Sequence, residues 1–301
     1  MERAFIVVLV LVFALGMLAR VSTPARRRAE AHRWARRIDL RLDPADEDQV
    51  ATRLARRQAV GALTGALLGT GSALLLGARV EGEAWTGPMA VFLAFFLGTA
   101  LGSAAVAWYE SSRPLPPGPR LARATVPAHG DYVPRIERGG AWVMAVVSPL
   151  VAGGLVALDA SGAVEMGELP GVLVAAAVVA PALAVLADEL AARWLLNRRQ
   201  VAGTTLQLAW DDALRARTLR DTVTVAIVTG AWAPLVLVGV VAERLEGGWP
   251  ANPAVGVVNG VALVLMGGLL AAVVASAVLR PEGHFRRRLW PIGAAVAGGA
   301  R

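Results

Sequence analysis

Hydrophobic and polar positions in this chain are segregated in long blocks. Apolar residues gather in seven uncharged runs, Ala4–Ala19, Ala59–Ala78, Pro88–Trp108, Ala141–Leu158, Pro170–Ala187, Val223–Ala242 and Ala254–Leu279, separated by Arg-rich or Pro/Gly-rich segments. Runs of this kind are what a bilayer's hydrocarbon core of about 30 Å requires of a spanning helix. The pattern predicts an all-α, polytopic transmembrane bundle of seven spans forming one domain, residues 1–301. After the first span come three hairpins with short outer turns at 79–87, 159–169 and 243–253. The first run is the shortest, and "MER" before it with "ARVSTPARRR" after it puts the charge on the wrong side for a cleaved signal peptide. An uncleaved anchor with its N-terminus outside is expected.

The polar segments carry their own periodicity. Asp43 followed by Pro44 is a helix start, with Asp46, Glu47 and Asp48 at the positive end of the dipole, and nothing breaks the pattern before Gly61. One helix is therefore expected to run from the polar segment into the second span. Upstream, "PARRRAEAHRWARRIDL" reads as a basic helix suited to anionic headgroups. The proline-rich "RPLPPGPRLARATVPAHGDYVPR" reads as an extended loop, and the apolar end of the C-terminal tail is too short to span. On a helical wheel of Leu206–Asp221, Leu206, Ala209, Trp210, Ala213, Leu214 and Ala216 share one face and Asp211, Asp212 and Arg215 the other. This predicts an amphipathic interfacial helix leading into the sixth span, with Asp211–Arg215 pairing along it.

Charge fixes the expected threading. All 30 basic residues are Arg, and only Arg3, Arg79 and Arg244 lie outside the segments 20–58, 109–140, 188–222 and 280–301. Cytoplasmic loops are enriched in basic residues, so those four segments are expected inside, with the N-terminus out and the C-terminus in, in the cytoplasmic cell membrane. The pI of 11.2 then reflects sidedness, and no nucleic-acid partner is called for. The expected docking residues for membrane lipids, or for a protein partner at the cytoplasmic face, are Arg26, Arg27, Arg28, Arg36, Arg37, Trp210 and Arg215.

A steric signal lies within the spans. Gly61, Gly65, Gly69, Ala73 and Gly77 recur every four residues in the second span, and Ala90, Ala94, Gly98 and Gly102 do so in the third. Small residues at this spacing let helix backbones approach, and packing against each other across the short turn is expected, with packing between subunits the alternative. Trp232 and Pro234 in the sixth span and Asn259 in the seventh are candidate cavity residues; core packing and an interhelical hydrogen bond are the simpler expectations.

Little of the sequence points to catalysis. With no Cys, disulfides and thiol chemistry are excluded. The apolar cores carry no ionisable residue, unlike ion-coupled transporters. Neither a P-loop nor a Gly-x-Ser-x-Gly element is present. The acidic group Asp39–Asp48 lacks the spacing of an EF-hand. "DELAAR" (Asp188, Glu189, Arg193) resembles the Glu-Glu-x-x-x-Arg element of intramembrane CAAX-type proteases, with Asp for the first Glu. Those enzymes also need histidines within their helices, whereas His32, His129 and His284 lie in the polar segments without metal-ligand spacing. A Glu189–Arg193 pair closing the fifth span is expected instead, with no cofactor and no metal. The segments "DYVPRIERGGAW" (Asp131–Trp142) and "LAWDDALRARTL" (Leu208–Leu219) resemble stretches of uncharacterised multi-pass membrane proteins of actinobacteria; the resemblance implies a membrane bundle and transfers no role to a residue. The expected function is a non-catalytic membrane protein with a basic inner face, the alternative being a transporter or permease subunit for a lipid-like substrate.

Overall fold

A computed structural model describes residues 2–77, 86–112, 127–162, 169, 171–198, 200, 202–245, 255–264, 267–268 and 283–290. These form helices and turns, with no strand among them. The helices are α1 (Glu2–Ala19), α2 (Pro24–Arg37), α3 (Pro44–Gly77), α4 (Thr86–Ser112), α5 (His129–Tyr132), α6 (Arg135–Ala160), α7 (Gly171–Asn197), α8 (Thr205–Arg244), α9 (Val255–Val264) and α10 (His284–Leu289).

Five of them, α3, α4, α6, α7 and α8, are long and apolar enough to cross a membrane, and six are if α1 and α2 together count as one bent span. Seven spans are not confirmed among the described residues. Phe5–Ala19 turns by 89° into α2, and of the seventh run only the short α9 and residues 267–268 are described. The proline-rich stretch 113–126, most of the outer turns and the tail after Trp290 lie outside the described residues.

Helix α3 runs unbroken from Pro44 through the second apolar run, as its continuous pattern predicts. Helix α8 departs from expectation. Instead of an interfacial helix joined to a span, it is one rod of 40 residues. At 1.5 Å per residue that is about 60 Å, twice the hydrocarbon thickness, so half of it must project beyond the lipid. Thr204 caps its start, accepting from the Gln207 amide at 3.1 Å. The apolar half packs between α4, α6 and α7, with Ala226, Leu237 and Val241 fully buried.

The small-residue stripes face one another across α3 and α4. A Cβ on Gly61 would stand 2.9 Å from the Thr99 carbonyl oxygen, and one on Gly98 would stand 2.5 Å from that of Thr64. Neither leaves room for a side chain. Gly65 meets Phe95 and Thr99, Gly102 meets Val60 and Thr64, and Gly69 lies between Val10 of α1 and Phe95. The Thr64 hydroxyl donates across this seam to the Gly98 carbonyl at 2.7 Å. Ala94 is buried, and Ala73 packs beside Val10 and Phe95. Gly77 and Ala90 belong to α3 and α4, but their surroundings lie outside the described residues.

Candidate functional site

The polar ends of α3, α4, α6, α7 and α8 gather at one end of the bundle, where α2, α5 and α10 close over them. Apolar contacts organise this cap. Ala31, Trp34 and Ala35 of α2 and Ile38 just after it are buried against Val50, Leu54 and Trp210, and the Trp34 and Trp210 rings lie 5.6 Å apart. The apolar stripe of α2 is therefore satisfied by protein, and its arginines face outward. Trp108 of α4 stacks on Trp194 of α7 at 4.6 Å between ring centroids.

The acids of the cap are drawn inward. Asp212, which the helical wheel assigns to a wet face, is fully buried. Its Oδ1 accepts from the Tyr132 hydroxyl at 2.9 Å and the Gln200 amide at 2.8 Å, and its Oδ2 accepts from the Trp290 indole at 2.9 Å. A wheel cannot foresee that a short helix and the C-terminal segment will cover the polar face as well. Tyr132 and Asp212 come from the distant segments Asp131–Trp142 and Leu208–Leu219, and the fold joins them. Glu137 of α6 receives a forked pair from Arg220 of α8 at 2.9 Å each. Arg57, only 3% exposed, donates to the Glu110 carboxylate and to the Leu214 carbonyl. Ionisable residues that look peripheral in sequence thus form the interior of the cap.

A second polar cluster sits where α5, α6, α7 and α8 meet. His129 comes from α5, Asp188 and Glu189 from α7, Arg138 from α6 and Thr222 from α8. Glu189 pairs with Arg138 at 3.1 Å through Oε1, so its partner is on another helix rather than Arg193. Thr222 donates to Asp188 Oδ1 at 2.6 Å. His129 Nδ1 stands 4.0 Å from Glu189 Oε2, beyond hydrogen-bond range, and neither ring nitrogen has a hydrogen-bond partner. Burial, reinforced by the Arg138 charge, lowers the His129 pKa to about 4. One donor atom from each of His129, Asp188 and Glu189 falls within 4.8 Å of the others. Spacing along the chain gave no sign of this group, since His129 is far from the DELAAR segment in sequence.

The expected docking residues divide. Arg26 donates to the Ala19 carbonyl and Arg27 to the Val21 carbonyl, both at 2.8 Å, so they close the corner between α1 and α2; Arg28 pairs with Asp48 at 2.7 Å. Arg36 and Arg37 are exposed. Trp210 and Arg215 are not surface groups. The Trp210 indole is buried and donates to the Arg41 carbonyl, while Arg215 donates to the Arg198 carbonyl and faces Asp211 at 3.7 Å. Both lie on the sheathed part of α8, which removes them from any docking surface. Of the cavity candidates, Pro234 is buried within α8 and Asn259 is half-buried on α9. Trp232 packs where two apolar clusters meet, beside Val261 and Val151.

No family model matches this chain, and no curated protein or solved structure matches it.

Proposed function

We propose that the chain is a non-catalytic multi-pass protein of the cytoplasmic membrane, threaded N-terminus out and C-terminus in, whose arginine-bearing cap binds anionic lipid headgroups. The carrying observation is how folding sorts charge. Glu110, Glu137, Asp188, Glu189, Asp211 and Asp212 are partly or fully buried, whereas Arg20, Arg33, Arg36, Arg37, Arg56, Arg135, Arg193, Arg287 and Arg288 are exposed. The surface is accordingly more positive than the composition. A basic residue held near an anionic leaflet contributes about 1 kcal/mol, and several on one rigid body act together. Some of these exposed arginines also pair within the cap, Arg33 with Glu30 and Arg288 with Asp131, but the exposed set still carries excess positive charge toward a partner of opposite sign.

The test is lipid selection by the full chain in nanodiscs of mixed phosphatidylglycerol and phosphatidylcholine. Phosphatidylglycerol should be enriched around the protein, the enrichment should weaken with salt, and Arg36→Gln with Arg37→Gln and Arg287→Gln should reduce it. Equal enrichment in wild type and variant sinks the reading. Arginine-dependent recovery of an acidic protein instead of lipid would assign the same face to a partner. Transport of a lipid-like substrate has less support, because Trp232, one of the three candidate cavity residues, packs against two apolar clusters.

A further inference from the structure

We infer that His129, Asp188 and Glu189 form a binding site for one first-row divalent cation such as Zn²⁺ or Mn²⁺. This goes beyond the lipid-binding reading and does not depend on it.

The argument starts from His129. Its side chain is more than nine-tenths buried, yet both ring nitrogens lack a hydrogen-bond partner. A neutral imidazole always carries one N–H and one lone pair, and leaving either unmatched in the interior is costly. What faces the ring is a pair of carboxylates. Glu189 Oε2 lies 4.0 Å from Nδ1, too far to accept from it but suitably placed to share an ion with it.

Each carboxylate is already held by one oxygen. Arg138 occupies Oε1 of Glu189, and Thr222 occupies Oδ1 of Asp188. The second oxygen of each remains for a cation, and donors on the far oxygen are how outer partners orient metal-ligating side chains. The three donor atoms lie within 4.8 Å of one another, against about 3.4 Å for ligands at the corners of a tetrahedral zinc site, so modest side-chain rotations would close the set. One imidazole with two carboxylates favours Zn²⁺ or Mn²⁺ over Ca²⁺ and Mg²⁺, which take oxygen ligands. Three protein donors leave room for water as a fourth ligand. Such an ion would pin α5 to α7 and, through Arg138 and Thr222, to α6 and α8.

The experiment uses the full chain in detergent, stripped with chelator and then equilibrated with Zn²⁺ or Mn²⁺, with bound metal counted by mass spectrometry and thermal stability recorded in parallel. About one equivalent should bind, raise the melting temperature and resist excess Mg²⁺. Asp188→Asn and His129→Ala should abolish binding, and Thr222→Val should weaken it by about 10-fold to 100-fold. His32→Ala, at the exposed His32–Glu47 pair, should leave binding unchanged. The near-isosteric Asp188→Asn keeps the test decisive should His129→Ala fail to fold. Failure of the wild type to bind either ion, or binding that survives Asp188→Asn, overturns the inference.

Discussion

The seam between α3 and α4 and the cap over α8 hold together by opposite means. In the seam, small residues bring backbones together where lipid offers no hydrophobic driving force, and hydroxyl bonds cross from Thr64 to the Gly98 carbonyl and from Ser103 to the Arg57 carbonyl. In the cap, Trp34, Trp210, Tyr132 and Phe285 are withdrawn from water, and acids such as the buried Asp212 and the half-buried Glu137 are held by donors from other elements. The seam is defined by what is missing from its side chains, the cap by what its side chains carry. The first should respond to added volume and the second to lost donors, acceptors or protons.

The largest expected effect is in the cap. Asp212→Ala removes the carboxylate that accepts from Tyr132, Gln200 and Trp290, at a cost of about 3 to 5 kcal/mol, whereas Asp212→Asn keeps part of the network and should cost less. Thermal unfolding of both variants checks this; equal stability of Asp212→Ala and wild type would remove the hub. Next comes volume in the seam. Gly98→Ile drives a side chain into the Thr64 backbone and should destabilise by about 3 kcal/mol, while Gly71→Ile, where nothing stands within 4 Å, should leave the melting temperature unchanged. If the two behave alike, the α3–α4 contact is not the determinant.

Acid should separate the regions. With His129 lowered from 6.5 to about 4, the unfolded chain takes up its proton first, so stability is unaffected above pH 6.5, falls between 6.5 and 4 and levels off below. In chelator the loss should approach about 2 kcal/mol, since part of the full shift is relieved by relaxation. His129→Leu should flatten that part of the pH profile, and an unaltered profile would refute the assignment. Smallest is Thr64→Val, which removes one hydrogen bond across the seam for about 1 kcal/mol, visible in denaturant unfolding.

Much of this architecture is readable from single segments. Hydrophobic run length predicts α3, α4, α6, α7 and the upper half of α8, because spanning a bilayer is a local requirement on length and polarity. The Asp43–Pro44 start likewise predicts an unbroken α3, since capping and dipole effects act within one turn. The wheel for Leu206–Asp221 recovers the buried identity of Ala209, Trp210 and Ala213, yet it treats the opposite face as wet. That face is covered by α5 and α10, whose sequences give no hint that they fold back onto α8.

Sequence alone determined a helical, membrane-embedded protein with its arginines concentrated in a few segments, because periodicity, run length and charge are properties of neighbouring residues. Tertiary structure alone decided which charges go inside. Asp212 finds Tyr132 and Trp290, Glu189 takes Arg138 in place of Arg193, and His129 arrives beside Asp188 from a separate segment. The physical reason is that a buried charge is tolerated only where partners from other helices meet it, and a one-dimensional pattern does not specify those meetings.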